Sequence, residues 1–307
     1  MSNNKATSLT SSRIISVTPG AAIADVGKAR TADGALLAIT LIWGSTFVVT
    51  KGALGGIGPF EFLALRFGLA FIALALIFHR RLLSFSFGEL RAGALIGLWL
   101  LAGYVLQTVG LQYTSASRAG FITGLSVLAV PLIACILLRQ RLGIGVGIGV
   151  ALATAGLWFV SFNGEVAFGP GDLLVLGCAF AFACHIVAVG VYAIRYDPLK
   201  LTIVSIGVVA VATGLATPFM EAPLVTPAAS VWLAIAYNGL IATALLLGIQ
   251  TAAQQFTTST HAAVIFSLEP VSAAIFAYWL AGDAFGPQGI LGGALIVAGT
   301  MVAELKY

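Results

Sequence analysis

Charged side chains are scarce in this sequence. Asp, Glu, Lys and Arg supply 8% of its 307 residues, where a soluble domain carries about a quarter. With 60% of the residues hydrophobic, this scarcity excludes a water-soluble globule and indicates an integral membrane protein. The net charge of +4 is no nucleic-acid signal, because the basic residues form no patch. Cys135, Cys178 and Cys184 lie in apolar runs with neither a CxxC nor a metal-type spacing, which leaves them as small packing residues. No second His stands at ligand spacing from His185, so no metal is expected. HExxH, paired-Asp and ATP-binding motifs are missing, as is a Ser/Lys dyad with a Gly-rich signature. An enzyme, an ATP-driven pump and a bound cofactor are therefore not expected.

What remains is a series of apolar runs. A run of about 20 residues crosses about 30 Å of hydrocarbon. Ten such runs are expected, near 34–52, 59–78, 93–111, 117–138, 143–162, 172–193, 201–218, 228–250, 261–280 and 288–303. Residues 1–33 are polar and Ser/Thr-rich without an apolar core, and read as a disordered cytoplasmic tail rather than a signal peptide. Basic residues test the count. Twelve of the fifteen Lys and Arg fall in the tail, at the C-terminus, or in the loops 2–3, 4–5 and 6–7, all on one side of a ten-helix chain. The positive-inside rule then places both termini in the cytoplasm.

One stretch interrupts the apolar pattern. Residues 250–270 read QTAAQQFTTSTHAAVIFSLEP, and QTVGLQYTSASRAGFITGL occurs earlier, at 107–125. An offset of 143 lays Gln107 on Gln250, Thr108 on Thr251, Gln112 on Gln255, Arg118 on His261 and Ser126 on Glu269. An offset of 139 pairs Asp33 with Asp172 and Pro59 with Pro198. Five helices per half is an odd number, so the second half enters the membrane from the opposite side. The expected fold is all-α, with ten transmembrane helices as two inverted five-helix repeats, 34–162 and 172–304.

Trp43-Gly44-Ser45-Thr46-Phe47, Pro59 with Arg66, the stretch Gly110 to Leu125 leading to Pro131, and Ser267-Leu268-Glu269-Pro270 form a recognisable set. With these motifs the chain, over about residues 34–304, resembles the EamA-type branch of the drug/metabolite transporter superfamily, including bacterial amino-acid and metabolite exporters. Two departures occur: Gly282-Asp283 replaces the family's usual Gly-Glu, and Arg139-Gln140-Arg141 is basic at the corresponding place in the first half. The resemblance implies a secondary transporter exporting small polar metabolites, amino acids foremost, by alternating access; an uncoupled channel is the alternative. It also implies a central cavity, with helices five and ten as packing scaffolds. The GxxxG spacings among Gly143, Gly145, Gly147 and Gly149, and between Gly289 and Gly293, suit close helix packing in lipid.

Ionisable groups inside a membrane normally face a cavity or a partner. Glu269 lies about 12 Å from the cytoplasmic edge by helical rise. It offers proton binding, pairing with a substrate ammonium, or a structural bond to Arg66 or His185. His185, at about the same depth, can relay protons or serve as a helix contact. Arg66 can bind a substrate carboxylate or form a salt bridge to Glu269 or Glu61. Lys51 and Arg118 read as snorkelling interface charges or as a rim. Tyr104, Gln107 and Thr108 share a helix face, and Gln250 is the repeat partner of Gln107. The expected solute-binding set is Trp43, Thr46, Arg66, Trp99, Tyr104, Gln107, His185, Gln250 and Glu269. The expected partners are a small solute, a lipid bilayer and a coupling proton, with no nucleic acid; the oligomeric state is open. Trp158, Trp232, Tyr278 and Trp279 read as interfacial belt residues, and Pro131 and Pro270 as helix breaks.

Overall fold

The computed structural model describes residues 26–139, 143–161, 169–221, 227–282 and 286–304. Within them every regular element is a helix: α1 (Val26–Ala53), α2 (Pro59–Ile77), a short α3 (His79–Leu82), α4 (Phe87–Tyr113), α5 (Ala116–Gly124), α6 (Ser126–Leu138) and α7 (Ile144–Ser161). Then follow α8 (Pro170–Tyr192), α9 (Pro198–Met220), α10 (Ala229–Ala236), a π-helix (Tyr237–Leu245), α11 (Leu246–Ala253), α12 (Ser259–Phe266), α13 (Glu269–Ala281) and α14 (Pro287–Glu304).

Local chemistry sets the starts. Pro59, Pro170, Pro198 and Pro287 open their helices, where the missing N–H removes no intrahelical bond. Ser86 caps α4 by accepting from the Glu89 amide (3.2 Å), and the Glu89 carboxylate accepts from the Ser86 amide (2.7 Å). Ser115 accepts from the Arg118 amide at the start of α5 (3.2 Å), and Thr258 accepts from the His261 amide at the start of α12 (3.1 Å). These two caps stand 143 residues apart.

Among the described residues, eight helical spans are long and apolar enough to cross a membrane: α1, α2, α4, α5 with α6, α8, α9, α10 through α11, and α12 with α13. Helices α7 and α14 carry shorter apolar stretches, Gly147–Gly156 and Pro287–Gly299. Side chains such as Leu76, Leu83, Ile136, Phe219, Leu233 and Trp279 are exposed on the outer surface, as lipid contact requires. Trp158, Trp232 and Tyr278 are exposed as well.

Several expectations need correction. Helix α1 begins at Val26, eight residues before Gly34; residues 1–25 of the expected tail lie outside the described residues, as do Gln140, Arg141, residues 162–168, Pro223 and Asp283. The break in the first polar span is at Leu125, not at Pro131, which sits inside α6. There the Leu125 amide reaches back three residues to Ile122 (3.1 Å), and the Leu268 amide does the same to Ile265 (3.1 Å) in the second span. Tight turns of this kind shift the helix register, and both fall just before Ser126 and Glu269. The glycine contact is also displaced. A Cβ on Gly143 or Gly147 would meet nothing within 4 Å. A Cβ on Gly299 would come within 2.6 Å of the Gly149 carbonyl oxygen, and one on Gly156 would overlap the Gly292 carbonyl and reach Ile296 N at 2.9 Å. Helices α7 and α14 therefore touch backbone to backbone at positions related by the same offset of 143.

In the rest of the bundle, α4 packs on α8 and α9, α2 on α9, and α1 on α13. Gly44 allows the last approach, since a Cβ there would sit 2.5 Å from Ala273 N. The largest buried cluster, including Leu36, Phe67, Leu100, Ile203 and Leu246, surrounds a cavity at the middle of the bundle.

Candidate functional site: a central cavity with two ion-paired mouths

The cavity has a volume of about 60 Å³, room for roughly five waters at 10–15 Å³ each. Its lining follows the internal repeat. At an offset of 139, Trp43 pairs with Phe182 and Thr46 with His185; at 143, Tyr104 pairs with Leu247, Gln107 with Gln250, Thr123 with Phe266 and Ser126 with Glu269. Only Leu100 and Ile186 fall outside these six pairs.

Seven of the nine expected residues line it: Trp43, Thr46, Tyr104, Gln107, His185, Gln250 and Glu269. Trp43 is fixed across the interface, its Nε1–H donating to the Ala242 carbonyl in the π-helix (2.9 Å) while its ring lies 5.6 Å from that of Phe266. Tyr104 is held edge-on between Phe67 and Phe182, at 4.9 and 5.2 Å. Gln107 donates to Thr123 Oγ1 (3.3 Å). The Gln250 amide nitrogen donates to Gln254 Oε1 (3.0 Å), and the Gln254 amide nitrogen donates to the Ile186 carbonyl (3.1 Å). His185 Nδ1 lies 3.3 Å from the Ile96 carbonyl. Glu269 opens α13 just past the turn, and its accessible surface belongs to the cavity.

The other two stand elsewhere. Trp99 stacks edge-on against the exposed Phe180 (6.3 Å) on the outer side of α4 and α8; an offset of five residues from Tyr104 carries it round the helix to the lipid face. Arg66 lies one layer behind the wall, 2% exposed. It forms no salt bridge to Glu269 or Glu61. Instead Nε donates to Thr243 Oγ1 (2.8 Å), Nη2 donates to Tyr104 Oη (3.2 Å), and the guanidinium lies 4.6 Å from the Tyr104 ring centroid. Two of its donors and one planar face are engaged by neutral groups, Thr243 and Tyr104, and the guanidinium does not line the cavity.

Leu100, Thr123, Ser126, Phe182, Ile186, Leu247 and Phe266 are wall residues that the sequence reading missed. The signal existed for three of them: applying both offsets to the named residues finds Ser126, Phe182 and Leu247. The π-helix was missed as well. Such segments often occur at functional sites, and this one receives both Trp43 and Arg66.

Each end of the cavity axis carries an ion pair. At one end Arg118 Nη2 meets Asp172 Oδ2 at 3.1 Å; at the other His261 Nε2 meets Asp33 Oδ1 at 3.3 Å. Both partners are repeat equivalents, Asp33 with Asp172 and Arg118 with His261. Asp172 also accepts from Thr114 Oγ1 (2.7 Å) and from the Gly169 amide (2.9 Å). Lys51, at the end of α1, donates to the Thr114 carbonyl (3.0 Å) and the Leu111 carbonyl (2.5 Å), so it closes the C-terminus of α4. Asp33 and Lys51 are 18 residues apart on one helix, about 27 Å, so the two ion pairs stand at opposite ends.

Other spaces are larger but differently built. A lateral groove of about 870 Å³ between α1, α10 and α13 is almost wholly apolar. Ser45 bonds there to Tyr237 (2.6 Å) and Ser272 to the Leu41 carbonyl (2.5 Å). A space of about 570 Å³ lies at the start of α2, where Glu221 accepts from the amides of Phe60 (2.7 Å) and Glu61 (2.9 Å).

The pattern of two related halves is matched by a family model. The model of the EamA-like transporter family fits residues 30–162 and again residues 169–304. The chain belongs to the EamA-like transporter family. An uncharacterized transporter of Archaeoglobus fulgidus is 34% identical over 279 residues, covering 90% of this chain and 86% of its own. A second uncharacterized transporter of that organism is 28% identical over 289 residues. The uncharacterized transporter YyaM of Bacillus subtilis is 25% identical over 290 residues, covering 88% of this chain and 92% of its own. One protein of known crystal structure superimposes with a TM-score of 0.77 over 90% of this chain and 99% of its own, at 21% identity; that likeness concerns the fold. This EamA-like chain is thus a multi-pass membrane transporter of a family whose members move small solutes across a bilayer.

Proposed function

We propose that this EamA-like protein is a secondary transporter that exports small polar metabolites, amino acids or related amino compounds, across the bacterial inner membrane by alternating access. The observation that carries this reading is the cavity itself, walled by six repeat-related pairs and flanked at both ends by repeat-related ion pairs. A site on the interface of two matching halves is exposed to either side by rocking one half against the other. In this reading Arg118–Asp172 closes one mouth and Asp33–His261 the other, and each breaks in turn. The architecture is ten crossings in two inverted repeats, 34–162 and 172–304. Helices α7 and α14, 18 residues each, are about 27 Å long and complete the count. The positive-inside distribution supports cytoplasmic termini, with the Asp33–His261 mouth facing the cytoplasm.

Glu269 is the lining group that can take up and release a proton in exchange for solute, and it couples export to the proton gradient. Reconstituted liposomes with an imposed pH gradient test both parts. Wild-type protein is expected to give saturable, trans-stimulated flux. Glu269→Gln is expected to abolish pH-driven flux while part of the solute exchange survives. Unaltered pH-driven flux in this variant rules out the coupling role. Weakly saturating flux without trans-stimulation would instead indicate an uncoupled facilitator.

A further inference from the structure

We propose that the central cavity recognises the ammonium group of a compact amine, with Glu269 as its counter-ion, and that it makes no demand for a carboxylate on the solute. The inference takes from the proposed function only that this cavity is the solute site.

The cavity wall leaves polar groups unsatisfied. Glu269 forms no hydrogen bond or ion pair with any described residue, although it lines the cavity. His185 Nδ1 sits 3.3 Å from the Ile96 carbonyl, a contact that calls for the proton on Nδ1. In the neutral ring Nε2 is then an acceptor, and Nε2 is buried without a partner. Gln250 is oriented by the chain through Gln254 to the Ile186 carbonyl, which uses its amide nitrogen and leaves Oε1 buried without a partner. His185 and the Gln250 side chain also contact one another, so the Glu269 carboxylate is the open acceptor of the wall, and this neighbouring pair adds acceptor character beside it. No Lys or Arg lines the cavity. The nearest guanidinium, Arg66, is committed to Thr243 and Tyr104, while Lys51 and Arg118 are engaged at the distant end.

An ammonium brings three donors and no acceptor, the complement of this wall. Trp43, Tyr104, Phe182 and Phe266 supply aromatic rings around it, and a desolvated cation is attracted to such faces. A carboxylate brings only acceptors to a place already rich in them, next to the Glu269 charge. Size agrees in direction: a cavity of about 60 Å³ favours a compact amine over the larger amino acid made by adding a carboxylate to it.

The test uses three probes that differ in one charged group: isopentylamine, leucine, which adds the carboxylate, and 4-methylpentanoate, which keeps the carboxylate and lacks the amine. Binding to the full-length protein in detergent is read by tryptophan fluorescence and by thermal stabilisation. Isopentylamine is expected to bind at least as tightly as leucine and at least 10-fold more tightly than 4-methylpentanoate. Glu269→Gln is expected to weaken amine binding at least 10-fold, and Gln250→Leu to weaken it by a smaller factor, which keeps the test decisive should the first variant fold poorly. The inference is overturned by 4-methylpentanoate binding as well as the amine, by leucine binding more than 10-fold tighter than the amine, by no binding of the amine, or by full amine affinity in the variants. Failure here is separable from failure of the transport reading. Liposome flux of another solute without amine binding removes only the ammonium assignment, whereas amine binding without flux of any solute removes only transport.

Discussion

Breaking one mouth should open that mouth and tighten the other. At the Arg118–Asp172 mouth, the Asp172 side chain is 4% exposed and the Arg118 side chain 29%. Replacing Arg118 by Gln removes the charge and keeps length and polarity. Asp172 retains Thr114 and the Gly169 amide, so its carboxylate is not stranded. The bond to Asp172 is one partly screened, charge-assisted contact, and its loss costs about 1–2 kcal/mol. Since about 1.4 kcal/mol is a factor of ten in an equilibrium, the population open at this end rises by about five- to thirty-fold. Asp33→Asn acts on the opposite mouth. There the Asp33 side chain is 30% exposed and the partner is a histidine, charged only when protonated, so about 0.5 kcal/mol and a two- to three-fold shift are expected. Hydrogen–deuterium exchange in nanodiscs reads both ends at once. Arg118→Gln is expected to raise exchange near 113–119 and 170–175 and to lower it near 259–266. Asp33→Asn is expected to raise it near 259–266, more weakly, and to lower it at the other end. Equal increases at both ends in either variant would refute reciprocal gating, because two independent frays need no coupling through the bundle.

Two further substitutions test the scaffold and the wall. Gly156→Ala places a methyl group against the Gly292 carbonyl and Ile296 and is expected to destabilise the fold by about 1–3 kcal/mol; Gly147→Ala, with open space around it, is expected to be neutral or to stabilise by up to about 1 kcal/mol, and denaturation in mixed micelles compares the pair. Trp43→Phe deletes the bond to the Ala242 carbonyl, costing about 1 kcal/mol in the same assay; because the π-helix then loses an anchor at the cavity wall, liposome flux is expected to fall as well.

The sequence made the helices readable because their punctuation is local. Pro59 and Pro198 open helices at corresponding places, and Ser115 and Thr258 cap corresponding ones. Internal duplication made part of the site readable, since Gln107 and Gln250 are conspicuous amides in an apolar chain. Phe182 and Leu247 were inconspicuous for the opposite reason: in a chain this hydrophobic, a wall residue and a lipid-facing residue have the same composition. Trp99 shows the reverse error, an aromatic near the right depth on the wrong face. Where Arg66 and Glu269 point is a tertiary fact. Each was the obvious counter-ion for the other by composition, yet Tyr104 and Thr243 take the guanidinium and leave the carboxylate unpaired. The π-helix carries no local marker of comparable strength; its widened turn is recognisable only from the Trp43 and Arg66 side chains that reach into it.

A solute screen in liposomes under an imposed pH gradient bears most directly on the transport function. The predicted result is saturable, trans-stimulated flux of a small amino compound, with the pH-driven component lost in Glu269→Gln. No flux for any member of a broad metabolite panel, with the protein shown to be folded and inserted, would contradict it.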